Sequence, residues 1–435
     1  MMQTLPKSPQ IAKADLIRRK IPQKLINRYK HFPLAVLANI FYGFPSKKLK
    51  VIGVTGTDGK TTTVNLIYNI LFCAGFKTGM ISTVSAMIGA EELDTGFHVT
   101  APDPWLLQSL LKKMVDHGLD SVVIEATSHG LDQYRLWGVN FDIGVLTNIT
   151  HEHLDYHKTF ENYQISKLNL FLNSKVSILN KDDSSYKFFS SIIKKNPNKK
   201  IVSYAVKNNA DVTIKKFPFK SMLLGEFNKY NCLASIAVAL ELGVNKEIIL
   251  KAVESFSGVS GRLDEINEGQ KFKVYVDFAH TPNALQQVLT LLKKKKKPNS
   301  KLISVFGSAG LRDVSKRLMM GEISGKIADF SIITAEDPRT EDVNEICRQI
   351  AEGCEKTRGE YKIITDRQEA INFAIGKLAK KDDIVVVCGK GHEKSMCFGK
   401  TEYPWSERSC VVTSDLASTT IGFLKYPSLT PSIRE

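Results

Sequence analysis

Three glycines, a lysine and a row of threonines fall together in VIGVTGTDGKTTTVNLI, residues 51–67. Glycine lets a backbone approach an anion closely, and the N–H groups that open a following helix favour phosphate. Gly56, Thr57, Asp58, Gly59, Lys60, Thr61 and Thr62 are therefore expected to form a phosphate loop. Lys60 would lie on the terminal phosphates of a nucleotide and Thr61 on a magnesium ion. The usual G-x-x-x-x-G-K-[ST] spacing needs glycine at position 54, which is Val54, so the loop is a shortened form.

Two further clusters carry chemistry. In IEATSHGLDQYR, Glu125 ends an apolar run; in a parallel sheet it can stand beside the loop and hold the metal, or simply cap a strand. Ser128, His129 and Arg135 follow in a turn suited to an anionic substrate. In TNITHEHLDYHKTFENYQISKLNLF, His151, His153 and His157 stand with Glu152 and Asp155. The H-x-H-x-x-x-H spacing lacks the helical H-E-x-x-H register and any cysteine, which disfavours zinc and favours one histidine as a magnesium ligand or orienter.

These residues need elements to hold them. Val51–Thr55 reads as a buried strand, and Thr62 onward as a helix with Leu66, Ile67, Ile70 and Leu71 on one side. Strand-like runs recur at 121–126, 141–149 and 176–180, separated by helical stretches such as PWLLQSLLKKMVDHG. Apolar strands alternating with helices imply an α/β fold with a mainly parallel, doubly wound sheet. YAVKNNADVTIKKFPF suggests short antiparallel strands, and YNCLASIAVALELG a helix ending near Gly243. A boundary falls near Ser257–Gly261. A second α/β rhythm then runs through FKVYVDFA, KLISVFGSAG, ADFSIITAEDP and DIVVVCGKG, whose strand ends carry Gly, Asp or His residues where ligands sit in open sheets. The expected domains are 1–48, a short basic segment with two helical patterns broken near Pro33; 49–257, a central ATP-binding domain; and 258–435, a smaller Rossmann-like domain.

The 435 residues carry a formal net charge of +15, with 43% hydrophobic and 24% charged residues, as in ordinary globular proteins. The block Lys293–Lys297 has no interleaved aromatics, so a solvated helix end is favoured over a nucleic-acid site. Seven scattered cysteines without a C-x-x-C pair, Cys73, Cys232 and Cys388 among them in apolar stretches, read as buried free thiols of a cytoplasmic protein. No apolar run is long enough to span a membrane, and the N-terminus has no signal-peptide core.

Taken jointly, GVTGTDGKTTT, EATSHGLDQYR, TNITHEHLDYH with Lys167 downstream, GEFNKYN, SGRLDEI, VDFAHTPNAL, GLRDVSKR, EDPRTED and GKGHE resemble the Mur ligase family, and within it the UDP-N-acetylmuramoyl-tripeptide synthetase type. The resemblance spans roughly residues 40–415. It implies that Lys60 and Thr61 bind ATP phosphates and Mg2+, that Glu125 ligates that ion, and that His153 serves a second. Lys167 matches the family's carbamylated lysine, which holds the second metal. Asn231 matches an adenine contact, and Arg262, Asp277 and His280 match nucleotide contacts. Thr100, Ser128 and Arg135 match contacts to the muramoyl-peptide substrate.

The incoming amino acid is read from the family's D-N-P-R marker of meso-diaminopimelate addition, here Glu336, Asp337, Pro338 and Arg339. Arg339 is kept, and a guanidinium suits bidentate carboxylate binding. Arg312, Gly389 and Glu393 match further diaminopimelate contacts. Asp337 replaces the motif's Asn and adds an anion that would favour a more cationic substrate such as lysine. Residues 1–48 stand where the family carries its uridine-nucleotide domain and are expected to be a reduced or missing form of it. Their basic helices would dock on the central domain, or meet a pyrophosphate, an anionic membrane surface or another protein. The expected function is an ATP- and Mg2+-dependent amide ligase of peptidoglycan synthesis acting on small-molecule substrates, without nucleic acid. The alternatives are a Mur-like ligase for another carboxylate and amine (lysine, a glutamate chain, a cell-wall modification) and a non-catalytic nucleotide-binding subunit.

Overall fold

The structure is a computed structural model that describes residues 22–89, 91–93, 102–150 and 152–414. Strands are numbered in chain order: β1 Lys50–Thr55, β2 Thr78–Ile81, β3 Ala86–Ile88, β4 Glu91–Leu93, β5 Ser121–Glu125, β6 Phe141–Leu146, β7 Ser174–Asn180, β8 Lys200–Ala205, β9 Val212–Thr213, β10 Asp264–Ile266, β11 Lys273–Asp277, β12 Leu302–Phe306, β13 Phe330–Ile333, β14 Tyr361–Ile363, β15 Ile384–Cys388, β16 Ser395–Phe398 and β17 Thr401–Pro404.

The first sheet has the order β4-β3-β2-β5-β1-β6-β7-β8-β9. β1 pairs parallel with β5 on one side and β6 on the other. The chain order therefore reverses at β1, and the crevice beyond its carboxyl end is the switch point at which open α/β sheets bind ligands. Val51, Ile52, Val54 and the apolar residues of β5 are fully buried, as strands covered on both faces require. The helix Lys60–Cys73 starts two residues before the expected position. It buries Leu66, Ile67, Ile70 and Leu71, and packs on the helix Glu226–Glu241.

Three expectations are corrected. β7, β8 and β9 pair parallel, not antiparallel; the antiparallel pairs of this sheet are β2–β3 and β3–β4. Alternation along short strands reports burial of a face, and strand direction is set by the connection. Pro33 does not break the first helical pattern. The helix Gln23–Ile26 runs through a π-helical segment, Asn27–His31, into the helix Phe32–Tyr42, with proline in its first turn. The widened turn accommodates a residue that has no N–H to donate. This helical arm is fixed to the turn before β6, where Asn27 Nδ2 lies 2.7 Å from Asp132 Oδ2 and Asn39 Nδ2 lies 2.8 Å from the Trp137 carbonyl. Cys73 is exposed; the other six cysteines are buried free thiols.

The second sheet has the order β10-β11-β15-β12-β13-β14, parallel except for β10 against β11. β16 and β17 form a separate hairpin. Lys293–Lys295 close the helix Pro282–Lys295 as the expected solvated end, where cations suit the helix dipole. Among the described residues, no helix is long and apolar enough to cross a membrane.

Candidate active site

The carboxyl ends of β1, β5 and β6 face those of β11, β13 and β15 across one cavity of about 630 Å3. Its near wall is the phosphate loop. Gly56, at φ +152°, could not carry a side chain, because a Cβ there would stand 1.8 Å from Thr147 Oγ1. Gly59, at φ +81°, is pressed against Asn231 in the same way, 2.4 Å from its Oδ1. The loop is tied to the end of β6 through Thr147 Oγ1 and Asn148 Nδ2, which donate to the Asp58 carbonyl at 2.7 and 3.1 Å.

Lys60 Nζ donates to the Thr57 carbonyl at 2.8 Å. Thr61 Oγ1 donates to Glu125 Oε2 at 2.9 Å, and the Thr83 N–H reaches the same oxygen at 3.2 Å. Glu125 is 2% exposed and lines the cavity. Buried carboxylates are normally paired or coordinate metals, and a carboxylate with a hydroxyl beside it is the hard oxygen set that Mg2+ takes. Mg2+ therefore fits here. Among the described residues no group of three or more His, Cys, Asp or Glu side chains could hold a metal by itself.

Lys167 lies on the helix Phe160–Leu172, 1% exposed. Its Nζ donates to the Gly56 carbonyl at 2.7 Å and sits 4.7 Å from the centre of the Tyr163 ring. Burial, and then the Lys60 cation, lower its pKa well below that of a free lysine. His153 has φ +58°, its ring 4.7 Å from that of His129 and Nδ1 3.8 Å from Glu152 Oε1. Burial and the neighbouring histidine keep His153 neutral, and burial with His157 pushes His129 down to about 3. His151 lies outside the described residues.

The second domain reaches into the loop. Arg262 Nη2 donates to Thr61 Oγ1 at 3.0 Å, and the guanidinium stacks on Phe278 at 4.3 Å. Asp277 accepts the backbone N–H groups of Leu263 at 2.6 Å and Ala279 at 2.7 Å, so it shapes the turns that carry Arg262 and His280. Burial raises its carboxyl to about 6 against the pull of Arg262. His280 Nδ1 lies 2.9 Å from the Phe278 carbonyl. Asn231 bonds Thr63 and Asn228 behind Gly59 and lines the cavity.

The far wall holds Arg312, Asp337, Arg339 and Glu393. Arg339 adopts φ +54°, a strained conformation for a side chain of this size. It is held there by the β16 hairpin: its N–H donates to the Cys397 carbonyl at 3.0 Å, and its own carbonyl accepts from Gly399 at 2.6 Å. Gly389, at φ +114°, does not line the cavity; a Cβ there would meet Glu336 at 3.0 Å. Ser128 Oγ is buried at the cavity without a hydrogen-bond partner among the described residues. Arg135 turns onto Gln133 at 2.7 Å and is not part of the lining. Thr100 lies outside the described residues.

Three participants were not singled out from the sequence. Lys316 donates to the His280 carbonyl at 2.9 Å and lies 4.0 Å from Glu152. Lys390 lies 2.9 Å from Asp337. Asn283 bonds Asp58. Each sits inside a run already noted (GLRDVSKR, GKGHE, VDFAHTPNAL), so their neighbourhood was visible and their partners were not.

Comparison with known proteins shows what the chain as a whole is similar to. A family model described as the Mur ligase middle domain matches residues 54–239, and one described as the Mur ligase glutamate ligase domain matches residues 261–391. The UDP-N-acetylmuramoyl-L-alanyl-D-glutamate–2,6-diaminopimelate ligase 1 of Clostridium acetobutylicum is 37% identical over 422 residues, covering 91% of this chain and 85% of that protein. The corresponding ligase of Bacillus cereus is 37% identical over 86% of this chain and 80% of its own length. A solved structure of such a ligase superposes with a TM-score of 0.58 at 32% identity, over 86% of this chain and 79% of that one. A bifunctional folylpolyglutamate synthase/dihydrofolate synthase shares the fold at a TM-score of 0.66 and 18% identity, over 83% and 91%.

Proposed function

The chain belongs to the Mur ligase family of ATP-dependent acid–amino-acid ligases, and we propose that within it this protein joins a diamino acid, meso-diaminopimelate, to a UDP-N-acetylmuramoyl-dipeptide in peptidoglycan synthesis. The observation that carries the reading is the single cavity with a phosphate loop on one wall and Arg339, Arg312 and Glu393 on the other. A nucleotide and a charged amino acid can both reach its centre.

A carboxylate is a poor acyl donor in neutral water. Attack of the dipeptide carboxylate on the γ-phosphorus of ATP forms an acyl phosphate and releases ADP. The amine of the incoming amino acid then attacks the acyl carbon, phosphate leaves, and an amide remains. Lys60, Arg262 and the helix N-terminus offset negative charge on the transferring phosphoryl group. Thr61 and Glu125 would hold Mg2+, which supplies charge neutralisation between phosphate oxygens. His153 and Lys167 would serve a second ion. A deprotonated Lys167 amine can add to CO2 and lose a proton to become a carbamate, an anion where an ammonium would repel the metal. Ser128 Oγ offers a free donor to the muramoyl peptide.

The test is phosphate release from ATP with a panel of amino acids. Release should require both UDP-N-acetylmuramoyl-dipeptide and a diamino acid, and Lys60→Ala should abolish it. Turnover with another acid and amine pair, or substantial activity of Lys60→Ala, would overturn the assignment.

A further inference from the structure

Two carboxylates and one ammonium meet on the far wall of the cavity. Lys390 is fully buried, with Nζ 2.9 Å from Asp337 Oδ1 and in contact with a carboxylate oxygen of Glu393. Asp337, 4% exposed, also accepts the Cys397 N–H at 3.0 Å. Burial pulls the Lys390 ammonium down, but Glu393 and Asp337 outweigh it and hold it charged.

Asp337 therefore does not present a free anion to the cavity, as its place in the motif led us to expect. Its charge is consumed by Lys390, and buried charges persist where they are paired and hydrogen-bonded. The cluster as a whole keeps one net negative charge. Glu393 is the member most open to the cavity, with its side chain 19% exposed against 6% for Asp337 and 0% for Lys390. Arg339 lines the same cavity and is strapped by its backbone to the strand whose Cys397 N–H also holds Asp337. A net negative charge set beside the Arg339 guanidinium complements a side chain that ends in both an ammonium and a carboxylate.

We propose that Lys390 is a specificity-determining residue: by cancelling Asp337 and holding Glu393 at the cavity, it selects an amino acid whose side chain ends in an ammonium and a carboxylate over one that ends in an ammonium alone. This rests on the diamino-acid reading above. Lys390→Met removes the ammonium that joins the two carboxylates, and the extra negative charge repels a substrate carboxylate. Asp337→Asn leaves Lys390 and Glu393 neutralising each other. The double variant Asp337→Asn with Lys390→Met restores a single negative charge on Glu393.

The experiment measures KM and kcat of all four proteins with meso-diaminopimelate and with L-lysine, alongside ATP affinity and melting temperature. In Lys390→Met the preference for meso-diaminopimelate should fall about tenfold. In Asp337→Asn the KM for both amino acids should rise about tenfold with kcat nearly unchanged. The double variant should regain the wild-type preference to within about threefold. An unchanged preference in Lys390→Met, or a double variant no better than its worse parent, overturns the proposal. Should Lys390→Met fail to bind ATP, Asp337→Asn against the double variant decides it, because in neither does the carboxylate of Asp337 stay buried without Lys390. A wild-type protein that uses neither amino acid refutes the diamino-acid reading, and this inference with it.

Discussion

Asn283 Nδ2 donates to Asp58 Oδ2 at 2.7 Å, which joins the second domain to the tip of the phosphate loop. Thr281 Oγ1 supports the contact at 3.4 Å from the other carboxylate oxygen. The acid at position 58 thus has a mechanical part: it receives two donors from the helix start at Thr281–Asn283 and holds the loop between the two sheets.

Asn283→Ala should accordingly loosen the loop without touching the chemistry. Losing a hydrogen bond to a charged group is worth about 1.5–3 kcal/mol, so the KM for ATP should rise on the order of tenfold while kcat changes little. Steady-state kinetics against ATP check this; a KM within twofold of wild type would show that the contact carries no load.

Lys167 should matter as a carbamate. Lys167→Ala should lower turnover about 10–100-fold, as the loss of a metal ligand's support does. Wild-type turnover should fall when CO2 is stripped from the buffer and recover with bicarbonate, and intact mass should reveal the CO2 adduct. Full activity of the alanine variant would refute the role.

Acid should destabilise the fold through His129, whose pKa is about 3 in the folded chain against 6.5 when free. The folded state binds fewer protons than the unfolded state between those values, so stability is intact above pH 6.5 and declines as pH falls towards 3. At pH 5 the cost is about 2 kcal/mol. His129→Gln should show a smaller drop in melting temperature between pH 7 and pH 5 than wild type; an equal drop would assign the acid sensitivity to other groups.

Arg367 should be a keystone of the second domain. It is buried against Glu407, and it donates to the carbonyls of Ala335 at 3.0 Å and Cys388 at 2.8 Å, just before Glu336 and Gly389. Arg367→Met leaves Glu407 as a buried lone charge and should cost about 3–5 kcal/mol in denaturant unfolding. Replacing both partners by apolar residues should cost less than the single change; the reverse order would contradict this account.

The alternating architecture and the near wall of the site were legible in the sequence, because their signals are local. Strands buried on both faces must be apolar throughout, and a phosphate loop must set its glycines, lysine and threonine within a few residues. Gly56–Thr62, Glu125 and Lys167 line one cavity. The direction of β8 and β9 was not legible, since the same short runs serve either pairing. Nor was the path through Pro33, which a π-helical turn decides.

Charge balance across distant segments belonged to the tertiary structure alone. Asp337 read as an added anion until Lys390, from the end of a different strand, was found beside it. Asp58 read only as a residue of the phosphate loop until Asn283 was found against it. Sequence by itself determined which chemical groups this protein owns and which elements carry them. Only the fold decided which charges cancel, because electrostatic pairing depends on separations of a few ångströms between residues that the chain brings together only when both sheets have closed around one cavity.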